Sequence, residues 1–181
     1  MSRAIESSTA AFSLKAAAQR SRSARKTLKQ RTIAMIKLEE TIEIERPVNE
    51  VFNYVVNVEN VQKWQPAVIE VKRLTEGPVG VGTKFSETAT MMGRRISTIC
   101  EITQLVPNKM FSFSATSDGP MEYRTSYSFT PVGSATRLNI VGEFHTKGFW
   151  RLLEPLLKGE IKKESRQELT TMKRVIESRT I

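Results

Sequence analysis

Few side chains in this sequence can do chemistry. His145 is the only histidine, Asp118 the only aspartate and Cys100 the only cysteine. A serine–histidine–aspartate relay would have to use the first two, and Asp118 falls in a turn segment, so no triad is expected. His145 sits at a strand end, which reads as a surface residue, with a lone proton shuttle as the alternative. Histidines and cysteines at metal-ligand spacing are missing, and no metal is expected. The Gly80-Val81-Gly82 run leads into a strand with no helix behind it, so it is a turn and not a phosphate loop. No cofactor is expected. What remains is glutamate and tyrosine. Glu87 and Tyr123 fall among apolar residues on alternating runs. A carboxyl held there keeps its proton to higher pH, because burial disfavours the charged form, and this suits a general acid or base. Glu87 and Tyr123 are the catalytic candidates.

Those residues need a sheet to place them. Residues 36–45 alternate Ile36, Leu38, Glu40, Ile42 and Ile44 with charged and polar partners, the pattern of a half-buried strand. Pro47 suits the first turn of a helix through Val48, Val51, Phe52 and Val55, and a second short helix is expected from Val58 to Trp64. Six more strands follow, at 68–75, 83–91, 95–104, 110–116, 121–130 and 136–145, separated by Gly, Pro and Asn turn signals. Joined by short turns, they are expected to be antiparallel neighbours.

A long C-terminal helix is expected from Gly148 to Ser178. Leu152, Leu153, Leu156, Leu157, Ile161, Leu169, Met172 and Ile176 recur at three- and four-residue steps along it. Ser165 interrupts the stripe where an apolar residue is due. Pro155 implies a helix start nearby or kinked first turns. A curved antiparallel sheet has one apolar face, and this helix has the stripe to cover it. The fold class is α+β: a seven-stranded curved antiparallel sheet wrapped around a long C-terminal helix, with two short helices after the first strand.

Alternation then says what lines the space beneath the helix. The expected ligand-binding set is Phe85, Glu87, Thr98, Phe111, Phe113, Tyr123, Thr125, Tyr127 and Phe144 from the sheet, with Leu153, Leu157 and Ser165 from the helix. A register slip of one residue would invert any strand. Two readings stand. The apolar members are core, and the polar ones bond each other or a trapped water; alternatively, the polar ones point into a cavity and orient a ligand. Ser165 and Gly142 leave room for a ligand or permit close packing. Trp64 and Trp150 are packing anchors, or stand at a cavity mouth.

The chain's net charge of +9 is a matter of placement. Residues 1–38 carry nine basic side chains against one acidic, leaving 19 against 18 in the rest. The body is balanced, so nucleic acid is not an expected partner. Residues 1–34 read as a basic, disordered extension, a transit peptide, or sequence ahead of a true start at Met35; residues 35–181 read as the folded domain. The basic segment is a candidate for weak contact with an anionic membrane. A lone cysteine and the lack of a long apolar run point to a cytoplasmic protein, or an organellar one if the extension is a transit peptide.

The run Arg46-Pro47-Val48-Asn49-Glu50-Val51-Phe52-Asn53-Tyr54-Val55, followed by Asn57, Glu59, Asn60, Trp64 and Pro66, resembles the opening of the START-like, Bet v 1-like helix-grip superfamily, in its polyketide cyclase/dehydrase branch. Gly80-Val81-Gly82-Thr83-Lys84-Phe85, the 101–113 stretch with Pro107 and Phe113, and Leu152-Leu153-Glu154-Pro155-Leu156-Leu157 extend the similarity across residues 36–178. The resemblance implies the same fold, an apolar small molecule held between sheet and helix, and catalysis in only some members. The leading expectation is therefore binding of a hydrophobic small molecule, whether lipid, polyketide-like or aromatic. The alternative is a cofactor-free cyclase or dehydratase using Glu87 and Tyr123. A third is a scaffold or stress protein with a protein partner, which requires an apolar patch outside the cavity. Neither the ligand's identity nor the oligomeric state is legible.

Overall fold

A computed structural model describes residues 35–91, 93–119, 121–146, 148, 152 and 154–179. The basic segment, Trp150 and Leu153 lie outside the described residues.

Alternation produces the strands that periodicity implies. Strand β1 (Met35–Ile44) is followed by helix α1 (Val48–Val56), a 3-10 turn (Val58–Asn60) and helix α2 (Val61–Trp64). Then come β2 (Val68–Arg73), β3 (Lys84–Met91), β4 (Arg94–Val106), β5 (Met110–Ser117), β6 (Met121–Val132), β7 (Ala135–Thr146) and helix α3 (Glu154–Glu177). All seven strands form one antiparallel sheet in the order β1-β7-β6-β5-β4-β3-β2. β1 and β2 are thus opposite edges, and α1 with α2 carries the chain between them. The β6–β7 hairpin turns tightly at Gly133, whose φ of +61° lies where a glycine is free of Cβ strain.

Two departures have local causes. Strand β4 runs on to Val106, past the expected Gln104, and its register with β5 shifts between Ile102 and Gln104. A bulge of this kind bends the strand and resets which side chains face inward, so Leu105 lies opposite Phe111. Helix α3 starts at Glu154, six residues after the expected start. Gly148 has φ +51°, incompatible with a right-handed helix, and Pro155 sits in the first turn, where its missing N–H costs nothing. Leu152 and Leu156 are consequently exposed, off the buried stripe.

The interior is divided. The main core joins α1, α2 and the sheet to the end of α3 through Val51, Phe52, Trp64, Phe85, Ile102, Phe111, Met172 and Ile176. A smaller cluster of Ile36, Met121, Leu157 and Ile161 lies under the start of α3. Among the described residues no helix is long and apolar enough to cross a membrane.

Candidate functional site

Between sheet and α3, where the helical stripe is broken, lies a cavity of about 200 Å³. Its wall is mainly aromatic and aliphatic: Trp64 from α2, Phe113 from β5, Tyr123 and Tyr127 from β6, Phe144 from β7, and Ile161 and Leu169 from α3. The rings form a continuous series. Phe144 stacks on Tyr123 with centroids 5.6 Å apart, and Tyr123 meets Phe113 edge-on at 6.2 Å. Phe113 in turn lies 6.3 Å from Tyr127. The space left by Gly142 is used by a ring: a Cβ there would come within 2.7 Å of Phe144. Gly142 thus serves close packing while also lining the cavity.

The polar members are few. Glu87 on β3 stands opposite Thr98 on β4, and both are buried and line the cavity. Burial pushes the Glu87 carboxyl up to about 7, against a partial opposing effect of a hydrogen bond with the Cys100 thiol. Cys100 lies behind the wall, fully buried, its own thiol pushed up by burial and then by Glu87. Tyr123 is held protonated well beyond the usual phenol range, first by burial and then by the Glu87 charge. Thr125 completes the sheet's polar set, and neither it nor Thr98 has a side-chain hydrogen-bond partner among the described residues. The buried indole N–H of Trp64 likewise has none.

Helix α3 contributes acid. Glu168 is half-buried, lines the cavity and is pushed up to about 8, by burial first and then by the neighbouring charges of Glu164 and Glu87. The Gln65 amide donates to its Oε2 at 3.4 Å. Glu164, at the rim, is also raised, by burial and then by Glu160.

Of the residues expected at the site, the structure brings Glu87, Thr98, Phe113, Tyr123, Thr125, Tyr127, Phe144 and Ser165 around one space. It places Phe85 and Phe111 in the main core and Leu157 in the smaller cluster. His145 is half-buried near the end of β7 and does not line the cavity. The helix carboxyl Glu168 and its partner Gln65 were not anticipated. The signal for Glu168 was present, because it follows Ile161 by seven residues and Ser165 by three, on the helical face that the gap had marked. Among the described residues no group of three or more His, Cys, Asp or Glu could hold a metal ion.

A family model described as polyketide cyclase / dehydrase and lipid transport matches residues 35–177. The Zhui aromatase/cyclase from Streptomyces sp. R1128 superposes with a TM-score of 0.69 at 15% identity, covering 79% of this chain and 94% of that one. TTHA0849 from Thermus thermophilus gives 0.67 at 17% identity over 77% and 96%. A START superfamily protein from Mycobacterium smegmatis gives 0.60 at 16% over 78% and 94%. At these identities the likeness shows the shared helix-grip fold. No curated protein matched the sequence significantly.

Proposed function

The chain belongs to the polyketide cyclase / dehydrase and lipid transport family, and from that membership we propose that it binds a hydrophobic small molecule between its sheet and helix α3. The observation that carries the reading is the hollow itself: an aromatic wall with a few converging polar groups, the usual make-up of a ligand site. Its size narrows the ligand. An apolar cavity of ~150 Å³ holds one benzene-sized ring, whereas whole drug-sized molecules take roughly 300–1,000 Å³. At about 200 Å³ the space suits one ring, a short chain, or one such portion of a longer molecule.

Native mass spectrometry of protein purified from cells tests this. Extra mass that disappears on denaturation supports it. A complementary titration uses a Trp150→Phe background, in which Trp64 alone fluoresces: small aromatic ligands should quench it. Bare protein in the spectrum together with an unresponsive Trp64 across an apolar panel would overturn the proposal.

A second reading, a cofactor-free cyclase or dehydratase, is favoured by one specific observation. Glu87 at about 7 and Glu168 at about 8 face the same cavity, so near neutrality one can accept a proton while the other holds one. In a dehydration, the Glu87 carboxylate would take the proton beside a carbonyl. Glu168 would protonate the departing hydroxyl, and water would leave as the carbon–carbon double bond forms. The Tyr123 phenol, kept protonated, would donate to the enolate oxygen. Glu87→Gln and Tyr123→Phe should each cut turnover of a β-hydroxy aromatic ketone at least ~100-fold; full turnover by both variants would remove this reading.

A further inference from the structure

The cavity's charge is opposite to the chain's. The sequence carries +9 overall, yet the charged side chains lining the cavity are Glu87, Glu164 and Glu168, with no lysine, arginine or histidine beside them among the described residues. A fatty acid or a phosphate headgroup would find no cation to pair with among those lining residues.

Among the described residues no cation neutralises either inner carboxyl. Glu87 interacts with a thiol and Glu168 with an amide, and neither forms an ion pair among the described residues. The other titratable groups facing them are Cys100 from β4, Tyr123 and Tyr127 from β6, and Glu164 from α3. None can supply positive charge. Lys163 acts on Glu164 at the rim. An independent observation also points to a ligand. Thr98 and Thr125 are more than nine-tenths buried and line the cavity, and their hydroxyls, acceptors as well as donors, have no hydrogen-bond partner among the described residues.

We propose that the ligand is a small amine, its ammonium group held beside Glu87 and Glu168 and its apolar body laid against Trp64, Tyr123 and Phe144. This rests on the cavity-binding reading and narrows it to a cation. An ammonium has several donors for two carboxylates and two threonine hydroxyls, and aromatic faces attract a desolvated cation. The ammonium would ionise the carboxyls that burial keeps protonated, so binding displaces protons. Affinity then rises with pH through the 7 to 8 region, until the amine itself deprotonates.

Three near-isosteric probes separate charge from shape: 2-phenylethylamine, 2-phenylethanol and 3-phenylpropionate, titrated calorimetrically into the full chain. At pH 8 the amine should bind at least about tenfold tighter than the alcohol, and the acid should not bind measurably. Between pH 8 and pH 6 the amine's affinity should fall, with proton release visible as a dependence of the heat on buffer ionisation enthalpy. Glu87→Gln and Glu168→Gln should each bring the amine-to-alcohol ratio towards one, whereas Glu160→Gln, an equal charge change on the exposed side of the helix, should leave it unchanged. Alcohol binding as tight as the amine, or tighter binding of the acid, overturns the cationic preference while leaving a binding cavity. Failure of all three probes overturns the amine proposal and counts against the cavity reading together with it.

Discussion

Helix α3 is held in two different ways along its length. Its C-terminal half is packed and tied. Met172 is fully buried and Ile176 nearly so. The Arg46 guanidinium donates to the carbonyls of Glu177 at 2.7 Å and Arg179 at 2.6 Å, groups that a helix end leaves without intrahelical partners. The Glu45 N–H donates to the Glu177 carboxylate at 2.7 Å, Lys173 donates to the Glu43 carbonyl at 2.6 Å, and the Arg179 guanidinium lies 5.0 Å from the Tyr54 ring centre. The N-terminal half rests on the small cluster around Leu157 and Ile161, and about the middle of the helix Ser165 and Glu168 line the hollow. A helix can cover a hollow when its other half is anchored, and here the packed turns and the turns over the hollow are different parts of one element.

The largest effect should come from emptying the packed half. Met172→Ala removes a fully buried side chain and should cost about 2–5 kcal/mol. Ile161→Ala, whose side chain faces space that already exists on one side, gives up fewer packing contacts and should cost less than Met172→Ala. Urea denaturation of both variants checks the contrast, and equal losses would erase the distinction between the two halves.

Next in size is the pH dependence that the hollow half imposes. Glu87 is raised from 4.5 to about 7, so between those values the folded protein retains a proton that the unfolded chain releases. Stability from this source is full below about 4.5 and is lost as pH rises through about 7; Glu168 extends the window to about 8. Glu87→Gln, which cannot ionise, should match the parent's stability at pH 5 and exceed it at pH 9, by at most on the order of 3 kcal/mol. Thermal melts at the two pH values decide it, and an equal difference at both would show that folding does not raise the Glu87 carboxyl. A smaller change belongs to the anchor: Arg46→Met should cost about 1 kcal/mol, the usual scale for exposed charged hydrogen bonds, readable as a lower Tm at unchanged ligand affinity.

The same division separates what could be read in the sequence from what could not. All seven strands were legible, because alternation and turn residues are local signals that the antiparallel sheet leaves undisturbed. The β4 bulge was not, since one extra residue changes facing without changing composition. At the site, periodicity tells which face a side chain takes but not how far along the sheet the core gives way to the hollow. Phe85, Phe111, Phe113 and Tyr123 share one face and pack in or against the same core, yet only Phe113 and Tyr123 also line the hollow. Glu168 was passed over for the complementary reason: a charge inside an apolar stripe reads as solvated surface until its neighbours show a cavity there. The break at Ser165 was the one local sign of the hollow, because it marks where the helix stops supplying bulk.

That break also supplies the prediction with the smallest expected effect on stability. Ser165 is half-buried, lies four residues from both Ile161 and Leu169, and lines the cavity. Ser165→Leu restores the stripe and puts an isobutyl group into a space of about 200 Å³. Filling a hollow in this way should raise stability by up to about 1 kcal/mol while removing most of the room a ligand needs. Met172→Ala does the opposite, lowering stability in the packed half without touching the wall of the cavity. The two variants therefore form a crossed pair, read by thermal melts and by native mass spectrometry of the purified proteins. If the Ser165→Leu protein carried as much bound mass as the parent, the ligand would have to sit elsewhere. If it lost the ligand and melted lower as well, the hollow would be filled by strain and not by fit, and the space under the first half of α3 would be narrower than its lining suggests.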